Sequence, residues 1–377
     1  MADYALMLFP IGIIVILFGG AKVAKRGEFW ETAWDLDQSR AMQVFAAFMV
    51  ILHHLSQTIT NYRGIDKGPI TLWNSFGILF TSIFFFFSGF GLYKSYRKKP
   101  EYLKGFLRRR LLTIYIPFQL ANILYLIIFW KSKVSSAGDA VSCFFGFTLI
   151  NSNAWFIVEL FFLYIAFYLC FRFSRNERTA IIGLTVFAVL MVAGSLLLGH
   201  DHAKLRHWFM GEWWYNTTLI FILGILVAKH ESRVKSVMRK GYKFTLPAMV
   251  LLLVGWYLLE EYIFGKYGYY QEWSGHPGYG EKFLTLLFQL ILCTIFVLLM
   301  LQINLKVRYG NRVLLFLGGI NYEIFLIHGV FREVLPGGPN GTLPDFWYLT
   351  LVYLLSIAAA VIMGWVDRRL IKITTGK

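Results

Sequence analysis

The chain has 377 residues, 57% of them hydrophobic and 15% charged, with a mean hydropathy of +0.57. These proportions exclude a water-soluble domain built round one core, because ordinary globular chains carry about 25% charged residues. The net charge of +16 would suit nucleic acid, but its distribution along the chain serves a membrane instead and no nucleic-acid partner is expected.

Apolar runs of roughly 17–22 residues recur from end to end, the length a helix needs to cross about 30 Å of hydrocarbon. Eleven spans are predicted in chain order: 5–21, 41–60, 72–93, 110–130, 152–172, 179–198, 214–230, 244–263, 283–303, 312–332 and 346–367. Runs such as IIVILF and LLLVGWYLL are continuous, which excludes the short alternating segments of a β-barrel. The expected fold class is all-α, a polytopic transmembrane helical bundle, with connectors too short to hold a soluble domain. Residues 1–21 have only Asp3 before the apolar core and Lys22, Lys25 and Arg26 after it. That polarity is the reverse of a cleaved signal, so a retained helix is expected.

Lysine and arginine alternate by connector. The connectors 22–40, 94–110, 172–178, 229–243 and 306–312, with the tail 368–377, hold 28 of the 37. By the positive-inside rule these lie in the cytoplasm, which places the N-terminus outside and the C-terminus inside a plasma membrane. Cys143, Cys170 and Cys293 fall in or beside apolar spans at unrelated spacings, so neither a disulfide framework nor a metal site is indicated.

With that orientation, a rise of about 1.5 Å per residue gives depths. His54 lies roughly 21 Å above Arg40 on the second span, and His328 roughly 24 Å above Arg312 on the tenth. Glu159 lies roughly 10 Å below the outer end of the fifth. Three ionisable side chains are therefore expected in one layer, and such groups cost several kcal/mol in hydrocarbon unless they face protein or water. His53 and His54 point about 100° apart, so one ring is expected to face the interior while the other finds a backbone or hydroxyl partner such as Ser56. A buried neutral imidazole can take a proton from a hydroxyl, and Glu159 and Glu323 are candidate carboxylates to orient it. Glu159 and His328 also have a bland reading as hydrogen-bonded interior groups.

On the cytoplasmic side, Arg108, Arg109 and Arg110 open the fourth span, where a helix dipole does not favour cations. A phosphorylated ligand would compensate them, because the guanidinium fork matches phosphate. Lys98 and Lys99 read as anchors to anionic lipid. The outer connector Phe264–Lys282 is rich in Tyr, Trp and Gly, which suits either carbohydrate or an interfacial aromatic belt. His200, His202 and His207, in HDHAKLRH, match no metal spacing and carry no assigned role.

Four stretches, in order, resemble the integral-membrane acyltransferase-3 family: RAMQVFAAFMVILHHL, FFFFSGFGLYKSY, FLRRRLLTIYIPF with NAWFIVELFFLY, and GGINYEIFLIHGVF. The resemblance implies transfer of an acyl group, usually acetyl from acetyl-CoA, to an extracytoplasmic carbohydrate or cell-envelope glycan. It implies His54 or His53 as base, the Arg108–Arg110 cluster for the CoA phosphates, and His328 in the polar core. Trp155, Tyr322 and Glu323, inside the matching stretches, are the candidate substrate contacts. The family commonly has a basic residue eleven before its histidine; here Gln43 stands there and Arg40 one turn earlier, which makes Arg40 a further candidate for the donor. Its core usually has ten helices, so residues 1–36 are expected to be an N-terminal addition to a membrane domain over 37–377. A proton-coupled transporter using His54, Glu159, Glu323 and His328 as a relay is the alternative. A scaffold for glycan synthesis is the third.

Overall fold

The computed structural model describes residues 4–60, 68–198, 214–267, 278–338 and 341–375. Where the chain is apolar, backbone N–H and C=O groups must be satisfied within the segment, and helix is the result. In order the helices are α1 (Leu8–Phe18), α2 (Leu36–Thr60), α3 (Gly77–Lys98), α4 (Phe106–Lys133), α5 (Ala137–Phe145), α6 (Trp155–Phe173) and α7 (Glu177–Leu198). They continue as α8 (Trp214–Lys229), α9 (Glu231–Arg239), α10 (Tyr242–Tyr267), α11 (Tyr279–Asn304), α12 (Arg312–Gly318), α13 (Asn321–Val334) and α14 (Asp345–Thr375). The all-α class holds with one small exception among the described residues: Lys22–Val23 (β1) and Val307–Arg308 (β2) pair antiparallel.

Every predicted span is helical, but not every one is a full straight crossing. Among the described residues, eight helices are long and apolar enough to span: α2, α3, α4, α6, α7, α10, α11 and α14. The first and seventh predicted spans are shorter apolar helices, Tyr4–Phe18 and Thr217–Lys229. The tenth, expected as one helix over 312–332, is α12 and α13 bent by 76°. Its break falls at Gly318 and Gly319, where two glycines in succession weaken helix. The third span is displaced as well. Gly68–Asn74 forms a 3-10 turn, and α3 starts only at Gly77 and runs on to Lys98.

The chain forms two compact units. The first comprises residues 1–84, 237–242 and 297–366. In it α1 packs on α2 and α12, and α13 packs on α2. Tyr353 donates its hydroxyl to the carbonyl of Phe48 at 2.8 Å, tying α14 to the middle of α2. At one end, the basic connectors meet: β1 pairs with β2, Lys306 Nζ donates to the carbonyl of Lys25 at 2.8 Å, and Arg239 pairs with Glu31 at 2.8 Å. Three connectors that the charge alternation assigns to one side are thus on one side.

The second unit comprises residues 85–236, 243–296 and 367–377. Here α4 packs on α5 and α6, and α7 on α6 and α8. Its basic connectors also converge, through Glu177, which pairs with Arg97 at 3.2 Å and Lys229 at 3.0 Å. Of α10, the only buried side chain is Glu260, and the helix is anchored by Trp256, which donates to the carbonyl of Phe288 at 2.9 Å.

Candidate active site

In the first unit, the last turns of α2 are stitched to the turn that precedes α3. Ser56 Oγ donates to the carbonyl of Ile70 at 2.8 Å and to Asn74 Oδ1 at 2.5 Å. Asn74 Nδ2 donates to Thr60 Oγ1 at 2.8 Å, and Gln57 Nε2 to the carbonyl of Asn74 at 3.3 Å. This polar seam sets the carbonyl of Trp73 2.9 Å from His53 Nδ1. The expected backbone partner of one ring is therefore found, and Ser56 serves the seam rather than the ring.

Gly77 makes room for His53. A Cβ at that position would lie 2.5 Å from both Cδ2 and Nε2 of the ring, so a larger residue at the start of α3 displaces the imidazole. His54, the next residue, turns the other way. Its ring centroid is 5.0 Å from that of His53 and 5.5 Å from that of His328, with which it stacks at 18°. His328 is fully buried, and its Nδ1 lies 2.6 Å from the carbonyl of Phe325 in its own helix. The straight-helix height for His328 does not survive the bend between α12 and α13, yet the common level of His54 and His328 does, because the rings touch.

A carbonyl only accepts, so His53 and His328 each carry hydrogen on Nδ1, and in the neutral ring Nε2 is left with its lone pair. The first unit thus holds three imidazoles in a row with the tautomers of the outer two set by backbone oxygens. Arg332, four residues beyond His328 on α13, lies within Coulombic reach of all three rings. Among the described residues its one ion pair is with Glu333, at 3.9 Å. Sequence reasoning passed over Arg332, although a spacing of four from His328 puts both on one helix face. It also had no means of finding Trp73, whose contribution is a main-chain oxygen. Tyr322 and Glu323 stand in the first turn of α13, Glu323 buried and Tyr322 half-buried. Arg40 is exposed on α2, with its Cβ over Gly318.

The remaining candidates belong to the second unit. Glu159 is fully buried in α6; Thr218 of α8 donates its hydroxyl to Oε1, and Oε2 has no hydrogen bond among the described residues. Trp155 opens α6 against Phe85, ring centroids 6.1 Å apart. Arg108 donates from Nε (3.1 Å) and Nη2 (2.5 Å) to the carbonyl of Thr374. Arg109 donates to the carbonyl of Tyr102 at 2.8 Å, and Arg110 to the Tyr102 hydroxyl at 2.9 Å. Among the described residues none of the three pairs with a carboxylate, so their charge is held in place without being neutralised. His200, His202, His207 and residues 268–277 of the aromatic connector lie outside the described residues.

Among the described residues, eight helices long and apolar enough to span, with His53, His54 and His328 in a row, define a multi-pass membrane protein. Residues 36–365 match the acyltransferase-3 family, an acyltransferase domain, and the chain belongs to that family. No curated protein and no solved structure matches it.

Proposed function

We propose that the protein is a plasma-membrane O-acyltransferase that moves an acetyl group from cytoplasmic acetyl-CoA to a hydroxyl of an extracytoplasmic carbohydrate or cell-envelope glycan. The observation that carries this reading is the imidazole row itself, in a chain of an acyltransferase family. His54 is the base. It is the central ring, it is half-buried where His328 is fully buried, and its neighbours are held by carbonyls. It takes the proton from the acceptor hydroxyl as the oxygen attacks the thioester carbonyl carbon. The C–S bond breaks, the acyl group leaves on oxygen, and the imidazolium returns its proton to the departing thiolate.

The donor enters from the basic end. Arg108, Arg109 and Arg110, which pair with no carboxylate among the described residues, supply charge for the phosphates, and Arg40 is a further candidate for them. Trp155, Tyr322 and Glu323 contact the substrate. Oε2 of the buried Glu159, without a hydrogen bond among the described residues, favours a second reading, a proton-coupled transporter.

The test is titration of acetyl-CoA and dephospho-CoA into the purified protein, followed by radiolabelled transfer to glycan acceptors. Saturable acetyl-CoA binding that weakens without the 3′-phosphate, with transfer abolished in His54→Ala, is the expected result. Folded protein that binds no CoA species but takes up a solute with protons overturns the acyltransferase in favour of the transporter.

A further inference from the structure

Within the second unit, the part of α3 from residue 85 onward crosses α8 nearly backbone to backbone. A Cβ on Gly89 would collide with the carbonyl oxygen of Phe221, and one on Gly224 with that of Phe86. Small residues allow such an approach between helices in a membrane. Five residues beyond each glycine stand Lys94 and Lys229, so the crossing brings the last turns of both helices together with the first turns of α7 and α9.

The four ends surround an open cavity of about 450 Å³. Lys94, Arg97 and Lys98 line it from α3, and Lys229 and His230 from the end of α8. The two acids in its wall are Glu177 and Glu231, each shared between two cations. Glu177 takes Arg97 and Lys229; Glu231 takes Lys94 at 2.9 Å and Lys235 at 2.7 Å. Four lysine or arginine side chains against two carboxylates leave the wall at +2. Complementing the helix dipoles explains cations at the ends of α3 and α8, but it does not require an excess around a cavity. Lys98 and His230 are exposed, and among the described residues neither makes an ion pair or a side-chain hydrogen bond.

We propose that this cavity binds a phosphomonoester, carried either by a soluble nucleotide or by an anionic lipid head group. A phosphomonoester carries about −1.5 to −2 at neutral pH, which matches the excess charge of the wall. The volume falls in the range of small-molecule sites, about 300–1,000 Å³, so more than the phosphate is accommodated. Lys98 and His230 donate to the phosphate oxygens, while the ion-paired Lys94, Arg97 and Lys229 hold the field in place. This site does not rest on the acyl-transfer reading.

The experiment is calorimetric titration of adenosine 5′-monophosphate, a phosphomonoester that lacks the 3′-phosphate of CoA, into the full chain in phosphatidylcholine nanodiscs, as wild type and as Lys98→Gln/His230→Gln. Neither replaced side chain is in an ion pair, so folding should persist, and a melting curve checks it. About tenfold weaker binding in the variant is expected, the loss of a charge-assisted contact. A repeat in nanodiscs containing phosphatidic acid separates the sources: retained binding identifies a soluble ligand, and binding abolished by the lipid identifies the head group. No binding to wild type, or equal binding to both proteins, overturns the proposal. So does binding lost only in Arg108→Ala/Arg109→Ala, which would put the phosphate on the α4 cluster.

Discussion

His53 and His328 in the first unit, and Arg108 and Arg109 in the second, are held by backbone carbonyls, to different ends. Trp73 and Phe325 offer oxygens to His53 and His328; Thr374 and Tyr102 offer them to Arg108 and Arg109. For an imidazole, a carbonyl chooses the tautomer and leaves the ring free to stay neutral. For a guanidinium, it fixes direction and leaves the full charge available to a ligand. A carboxylate in either place would have favoured the imidazolium in one case and cancelled the cation in the other. Positioning without neutralisation is the common device, and the two regions differ in whether proton transfer or fixed charge is wanted.

The largest effect that would sharpen this contrast is at His54. His54→Ala should lower kcat for acetyl transfer by about 10²–10⁴-fold, the usual contribution of a general base, in a radiometric assay. If His53→Ala costs more than His54→Ala, the base has been placed one residue too far along. Arg108→Ala/Arg109→Ala should act on the other side of the comparison, raising KM for acetyl-CoA by about 10–100-fold with kcat little changed, because charge-assisted contacts to a phosphate are worth roughly 1.5–3 kcal/mol. A large fall in kcat with KM unchanged would mean that the cluster does not bind donor.

A smaller effect is expected where the histidine pocket was fitted to glycine. Gly77→Ala forces a Cβ onto the His53 ring and should destabilise by about 1–3 kcal/mol, read as a lower melting temperature; an unchanged melt and unchanged transfer would show that the ring has another place to go.

The smallest is a pH effect at Glu231. Burial pushes its carboxyl up, but hydrogen bonds and charge from Lys235 and Lys94 outweigh that and hold it below the ordinary 4.5. A depressed acid contributes stability that is present above its unfolded pKa and is lost as pH falls through the folded one. Wild type should therefore lose melting temperature faster than Glu231→Gln as pH drops below about 4.5. Parallel curves would leave the Lys94–Glu231–Lys235 link without energetic weight.

Helix by helix, most of the scaffold was legible because a membrane span is a local property: length and hydropathy alone select it. Lysine and arginine counts were enough to say which connectors share an end, and Lys22–Val23 lying against Val307–Arg308 agrees with them. What was not legible depends on contacts distant in sequence. The 3-10 turn at Gly68–Asn74 is set by its seam with Ser56, Gln57 and Thr60, whereas the bend at Gly318–Gly319 left a local trace, two successive glycines, that a hydropathy count does not register. At the site, the shared level of His54 and His328 followed from counting residues, although the count assumed a straight helix. Glu159 shows the limit: its depth could be estimated, whereas its partner Thr218 lies fifty-nine residues away on a helix whose facing nothing local reveals.

By itself the sequence determined a multi-pass helical protein with an uneven distribution of basic charge, titratable groups inside apolar helices, and the ordered stretches that mark its family. Each of these follows from one segment and the medium around it. Only the tertiary structure decided which nitrogen of His53 and His328 carries hydrogen, that Gly77 leaves room for an imidazole, and that Gly89 and Gly224 bring two helix ends round one cavity. Those outcomes turn on where main-chain oxygens and missing side chains fall in space, and neither is written in residue type or spacing.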